Sequence, residues 1–315
     1  MWKRLRTRLT LDEPTDMDDG VYLGCTQKEI TPSEKDIQDS LAMFRKLCKH
    51  NVDADTQQFG MSDASSRSEA EVEANQKSKK KQNKKDKSEL ESQSTIHSLL
   101  ANDHAKSKVR AYEYNMSGHA KQCVERYCEL AKADVKTLKR VGTPCIDDHA
   151  LSPADFEQKG KLSDCCARIV LKALYLARMN RIDILWSVNT LAREVTRWTV
   201  ACDKRLLRLI SYLHFTQDWV QTCWVGDHPS DCHLALYADA SFAGDLKDSK
   251  STTGAFLCLV GPKTFVPITW ICKKHGAVSH SSSEAEVISL DAAVRTEGIP
   301  ALILWEQILI LIKIF

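Results

Sequence analysis

The sequence predicts an α+β protein in which helices precede a three-stranded antiparallel meander and a closing helix. The meander is read from LALYADA, TGAFLCLV (Thr253–Val260) and FVPITWIC (Phe265–Cys272), which have strand length and β-type composition. Only DLKDSKST and GPKT separate them, and connections that short join antiparallel neighbours. SHSSSEAEVISLDAAVRTEGI then reads as a helix, completing a β-β-β-α unit over 230–315. The helical part is read from apolar residues at 3.6 spacing between Leu162 and Phe215.

The expected segments follow in order. In 1–51, VYLGC (Val21–Cys25) reads as a strand entering a turn at Gly24. Pro32–His50 reads as a helix with Ile37, Leu41, Phe44 and Cys48 on one face. Thr31 is its expected cap and Pro32 its first residue. Residues 52–95 hold few sizeable apolar side chains and are expected to be disordered. Their run Lys77–Lys87 suits a solvated linker, a phosphate-binding tail or a nuclear-import address. Residues 96–160 read as helical, with Cys123, Tyr127 and Leu130 on one face. His119, Cys123 and Cys128 lack the second pair that a zinc finger needs.

In 161–229, CCARIVLKALYLARMN, ILWSVNTLAREVTRW and CDKRLLRLISYLHF read as three helices, with a turn at Arg181–Asp183. Leu206, Leu209, Ile210 and Leu213 make a core stripe. Lys204, Arg205 and Arg208 make a basic face, expected in solvent or near a phosphate backbone.

Lys+Arg 44 against Asp+Glu 42 leaves a net charge of +2 over 315 residues, so total charge marks no nucleic-acid binder. The twelve scattered cysteines and the lack of a signal peptide point to reduced thiols and a cytoplasmic or nuclear setting, not secretion. The C-terminal run IPALILWEQILILIKIF is interrupted by Glu306, Gln307 and Lys313. It is expected to be a surface-seeking or unfinished core helix, with no membrane as partner.

The last unit carries the candidate chemistry. Asp239 ends the first strand. Ser281-Ser282-Ser283-Glu284 fits a capping box, which gives Glu284 a structural task. Glu286 has no such task and borders the apolar Val287, Ile288 and Leu290. A helix packed across the sheet would bring it beside Asp239. A divalent cation, Mg²⁺ or Mn²⁺, would relieve the repulsion between two such carboxylates.

The wording of this unit, YADASFAGDLKDSKSTTGAFLCLVG followed by ITWICKKHGAVSHSSSEAEVISL, resembles the ribonuclease H domain of copia-type retrotransposon Pol polyproteins. That family runs close to Y-S-D-A-D-W-A-G-D, a polar loop, K/R-S-T-S-G, S-W-x-S-K-K-Q and S-S-T-E-A-E-Y-I-A-L. Upstream, LYLARMNRIDILWSVNTLAREVTRWTVACDKRLLRLISYL resembles the family's helical connection. VYLGC resembles the end of the reverse-transcriptase palm, and YEYNMSGHAKQCVERYCEL would fall in the thumb. The close match runs from Cys165 to about Trp305.

The resemblance implies a ribonuclease H-like fold that cleaves RNA in an RNA–DNA hybrid with two metal ions, Mg²⁺ or Mn²⁺. By motif position Asp239 and Glu286 match catalytic, metal-binding carboxylates, and Glu284 is the companion in T-E-A-E. Lys273 and Lys274 match the family's K-K, and with Lys250 are expected near nucleic acid. Departures from the pattern limit the activity expected. Ser241-Phe242 replaces Asp-Trp, and Ile182 replaces Pro in R-P-D-I. Asp291 is about 140° round the helix from Glu286 and cannot stand in for a missing carboxylate. MDDGVYL (Met17–Leu23) lacks the tyrosine of the polymerase Y-x-D-D and reads as a surface turn. The later strands and aspartates of the family fold are not found before Phe315.

The expectation is a catalytically incomplete fragment of a Pol polyprotein, with the rest of that polyprotein as partner. The other readings are a non-catalytic nucleic-acid-binding remnant that uses Lys77–Lys87, and a pseudogene product without function of its own.

Overall fold

A computed structural model describes residues 21–44, 109–245 and 248–313. The linker over 52–95, with Lys77–Lys87, and MDDG at 17–20 lie outside the described residues.

The described residues open with a hairpin. Strands β1 (Val21–Tyr22) and β2 (Cys25–Ile30) pair Tyr22 with Cys25 across Leu23-Gly24. Both turn residues have positive φ, 53° and 79°, as a two-residue turn matched to strand twist demands. Glycine takes that conformation freely, whereas Leu23 takes it at a cost. VYLGC is therefore a whole turn rather than one strand.

Helix α1 (34–44) follows. Its cap is Ser33 and not Thr31: Ser33 Oγ accepts from Asp36 N at 3.2 Å, and Asp36 Oδ2 accepts from Ser33 N at 3.3 Å. A hydroxyl three residues before a carboxylate satisfies two otherwise orphaned amides.

Segment VRAYEYN departs from the helical expectation. Strand β3 (Arg110–Asn115) pairs with β2 and with β4 (Gln221–Val225). The period-two placement of Ala111, Glu113 and the tyrosines signalled it locally. Helix α2 (Ser117–Ala131) comes next and buries Ala120, Cys123, Val124 and Tyr127.

The short α3 (Pro153–Glu157) precedes three longer helices, α4 (Cys166–Met179), α5 (Leu185–Arg193) and α6 (Val200–Phe215). The stripe Leu206, Leu209, Ile210 and Leu213 is fully buried in the main core, with Ile169, Leu176 and Leu191. Each such side chain contributes about 1.5–3 kcal/mol on leaving water. Helix α5 stops at Arg193, short of the expected Trp198. Trp198 instead lies buried, its Nε1 donating to Asp203 Oδ1 at 2.7 Å.

The basic face of α6 stays partly in solvent, with Lys204 exposed, and its side chains are engaged within the protein. Lys204 Nζ donates to Asp155 Oδ2 at 2.6 Å, Arg205 pairs with Asp148, and Arg208 Nε donates to Thr143 O at 2.9 Å. These contacts strap the segment 143–157 onto the helix.

The meander forms as the sequence predicts: β5 (His233–Ser241), β6 (Thr252–Gly261) and β7 (Thr264–Lys274), all antiparallel. Pro267 is accommodated by a register shift at Leu257/Cys258, where the ladder has no amide to lose. Helix α7 (Ser282–Ala293) follows, then a π-helical turn (Val294–Gly298) and α8 (Ile299–Lys313). No helix among the described residues is long and apolar enough to cross a membrane.

The meander is not a separate sheet. β4 pairs with β7 at Trp224–Phe265, which joins the strands of the described residues into one seven-stranded sheet, β1-β2-β3-β4-β7-β6-β5. Phe44 seals that seam, stacked on Phe265 with ring centroids 5.2 Å apart and edge-on to Trp224. At the far end, β5 has a partner on one side only among the described residues.

Candidate functional site

Asp239 stands opposite Gly254 near the end of the edge strand β5. Alternation puts it on the same sheet face as Tyr237 and Phe256. That face looks toward α5, whose Asn189 Nδ2 donates to Cys272 O at 3.0 Å. Between them is a cavity of about 410 Å³, lined by Trp186, Tyr237, Asp239, Gly254, Phe256 and Cys272 among others. The Asp239 carboxylate is exposed and makes no hydrogen bond or ion pair with the described residues.

Glu286 rides on α7. Ser281 caps that helix as expected, its Oγ accepting from Glu284 N at 3.1 Å. Glu284 reaches back one residue further than a standard box, accepting from His280 N at 2.6 Å. The buried stripe of α7 is Ala285, Ser289 and Ala293, not the large apolar residues. Val287, Ile288 and Leu290 are exposed, and so is Glu286.

Small residues let α7 lie close on the sheet. Ser289 Oγ is 2.9 Å from Thr253 Oγ1, which is 2.9 Å from His275 Nε2. Thr253 adjoins Gly254 and so points to the face opposite Asp239. Asp239 and Glu286 thus approach from opposite faces of the sheet, on either side of its open edge. Among the described residues, no group of three or more His, Cys, Asp or Glu could hold a metal ion.

The loop after β5 is held by charge. Lys274 Nζ donates to Asp245 Oδ2 at 2.5 Å and lies 2.7 Å from Asp248 Oδ1. Partial burial works against the ammonium, but these two bonds outweigh it and raise its pKa. The hydrogen bond from Lys274 holds the Asp248 carboxyl below its ordinary value. Lys250 Nζ donates to Gly276 O at 2.8 Å, and Lys273 is exposed. Lys274 therefore ties Asp245 and Asp248 to the end of β7, and Lys250 bonds just beyond it at Gly276.

Sequence reasoning gave Arg181 no task. It is nearly fully buried, its Nε and Nη2 donating to the two oxygens of Asp183 at 2.8 and 2.7 Å. Its Nη1 donates to Thr216 O at 2.7 Å, and Trp219 lies over the guanidinium. The Arg-x-Asp spacing was the available signal, because a two-residue step allows a planar fork to meet a carboxylate.

Comparison with known proteins gives relatives for about half of this chain. The retrovirus-related Pol polyprotein from transposon RE2 of Arabidopsis thaliana is 33% identical over 163 residues, 51% of this chain and 10% of that protein. The corresponding polyprotein from transposon TNT 1-94 of Nicotiana tabacum is 28% identical over 172 residues, 52% of this chain and 12% of that protein. A secreted RxLR effector protein, number 161, of Plasmopara viticola is 28% identical over 123 residues, 39% of this chain and 81% of that protein. The chain spans about a tenth of the length of the Pol polyproteins it matches. No family model matches it, and no solved structure matches it.

Proposed function

We propose, from the premise that this chain is related to the Pol polyproteins of copia-type retrotransposons, that it is a nuclease remnant of such a polyprotein. In this reading residues 161–229 are the connection and 230–315 belong to a ribonuclease H-like domain, preceded by palm-end and thumb segments. The observation that supports it most is Asp239: an uncommitted carboxylate beside the end of an edge strand, in a β-β-β-α unit whose wording matches the family.

The family chemistry is hydrolysis of RNA in an RNA–DNA hybrid by two divalent ions, Mg²⁺ or Mn²⁺. The described residues do not fit a two-ion site. Asp239 and Glu286 approach from opposite faces, and no third acidic, histidine or cysteine side chain joins them. Ions held close together need several carboxylates to offset their mutual repulsion. No catalytic step is therefore assigned to the pair. The proposed state is catalytically incomplete, with Asp239 and Glu286 in the positions of the family's metal-binding carboxylates.

A cleavage assay on an RNA–DNA hybrid, in Mg²⁺ and separately in Mn²⁺, tests this reading. Little or no product is expected from the full chain. Robust cleavage that disappears in Asp239→Asn and Glu286→Gln would overturn it.

A further inference from the structure

We propose that the cavity between α5 and the Asp239 face of the meander binds a guanine base, with the Asp239 carboxylate reading its Watson–Crick edge. The inference goes beyond the nuclease reading, because Asp239 here recognises a base rather than an ion.

Volume and lining both suit a base. A cavity of about 410 Å³ falls within the range of small-molecule sites. Its floor is the ladder at Gly254, flanked by Phe256 and Tyr237. Gly254 contributes no side chain, so a flat ligand can approach the backbone. Trp186 forms part of the wall and keeps 46% of its surface exposed although it belongs to a folded helix. An indole left open beside two other rings is a stacking platform, and stacking accepts any base.

Asp239 makes the site selective. It is the one acidic residue lining the cavity, and it has no partner among the described residues. An ionised carboxylate only accepts hydrogen bonds. Guanine offers two adjacent donors, N1–H and the N2 amino group, on one edge, and a carboxylate can take both at once. Uracil and thymine offer one donor flanked by carbonyls, which a carboxylate repels.

A second cavity adjoins this one and shares Trp186, Ser241 and Thr252 with it. Arg193 lines it, two turns beyond Trp186 along α5. Asp148, Glu194 and Asp245 line it too, and their charge opposes a phosphate there, so the proposal rests on the base alone. The ligand can be a free guanine nucleotide or a guanine splayed from a single strand, since both present the same edge.

Calorimetric titration of the full chain with guanosine, inosine and uridine, without divalent cations, tests the proposal. Inosine lacks only the N2 amino group. It is expected to bind about ten-fold more weakly than guanosine, the scale of one lost base-edge contact. Asp239→Asn should lower guanosine affinity by a similar factor. Gly254→Leu should abolish binding with an unchanged circular dichroism spectrum, because a Cβ there meets nothing nearer than Asp239 O at 4.0 Å. Guanosine monophosphate and a short single strand with one guanine then separate the sources, the tighter binder marking the natural form. Equal affinity for guanosine and inosine, guanosine binding retained in folded Gly254→Leu, or no guanosine binding would each overturn the proposal. None of these outcomes depends on hybrid cleavage, so the nuclease reading stands or falls separately.

Discussion

The ammonium of Lys274 bridges Asp245 and Asp248, at 2.5 and 2.7 Å, and so ties the loop after β5 to the last residue of β7. The bridge crosses the end of the meander beside Asp239. Replacing Lys274 by Met keeps the stem and removes the charge. The hydrogen bonds are partly exposed, which limits the expected loss to about 1 kcal/mol. The clearer effect is local: amides of 242–251 should exchange faster while those of α6 stay protected. Unchanged exchange in that loop would show that the clamp holds nothing.

The same clamp sets a pH window. Asp248 is held below its ordinary value of 3.8 by the hydrogen bond from Lys274. Its contribution is present above that value and is lost as pH falls through the lowered folded value. Lys274 is raised above 10.5, so its contribution is present below that value and is lost as pH rises through the raised one. Asp155 behaves like Asp248, chiefly through its hydrogen bond from Lys204. Proteolysis in the loops at 245–250 and 147–155 should therefore be flat across neutral pH and rise at the acid end. A midpoint of loop loosening near pH 6 would contradict this assignment.

Arg181 is nearly fully buried, with four hydrogen bonds to Asp183 and Thr216. Arg181→Met removes the forked donor of Asp183 and one of two donors to the Thr216 carbonyl, which keeps the Trp219 N–H at 3.1 Å. The expected loss is about 3 kcal/mol in denaturant unfolding. Arg181→Lys should recover little of it, because an ammonium cannot reproduce the planar fork. Full rescue by Lys would mean that charge alone matters there.

The segment 230–315 should not fold cooperatively by itself. In the full chain, β7 pairs with β4, Trp270 Nε1 donates to Ala177 O at 2.9 Å, and Asn189 caps Cys272 O. Excision would strip the β7 edge in addition to the already open β5 edge and expose the helix-facing side. A sharp urea transition for the isolated fragment would refute this.

Much of the architecture was legible locally. Short connections and strand-length apolar runs predicted β5, β6, β7 and α7, and helical spacing predicted α4 and α6 with the stripe from Leu206 to Leu213. Ser281 was legible as a cap for the same reason: its partner lies three residues away. β3 was misread because a six-residue strand with one buried alanine competes poorly, in a sequence window, with the strong helix that follows it.

What the sequence determined by itself was the run of local elements, the relationship to Pol polyproteins and the position of Asp239 at a strand end. Tertiary structure decided which face each residue meets. It joined β4 to β7 across forty residues, paired the basic side of α6 with the segment 143–157, and gave Lys274 to two aspartates. It also buried Ala285, Ser289 and Ala293 in place of Val287, Ile288 and Leu290, because small side chains allow α7 to approach within hydrogen-bond reach of Thr253. That choice leaves Glu286 exposed and Asp239 on the opposite face. Hydrophobicity reads how much each residue gains by leaving water, but close packing depends on the shape of the partner surface, and that surface is built from residues far away in the chain.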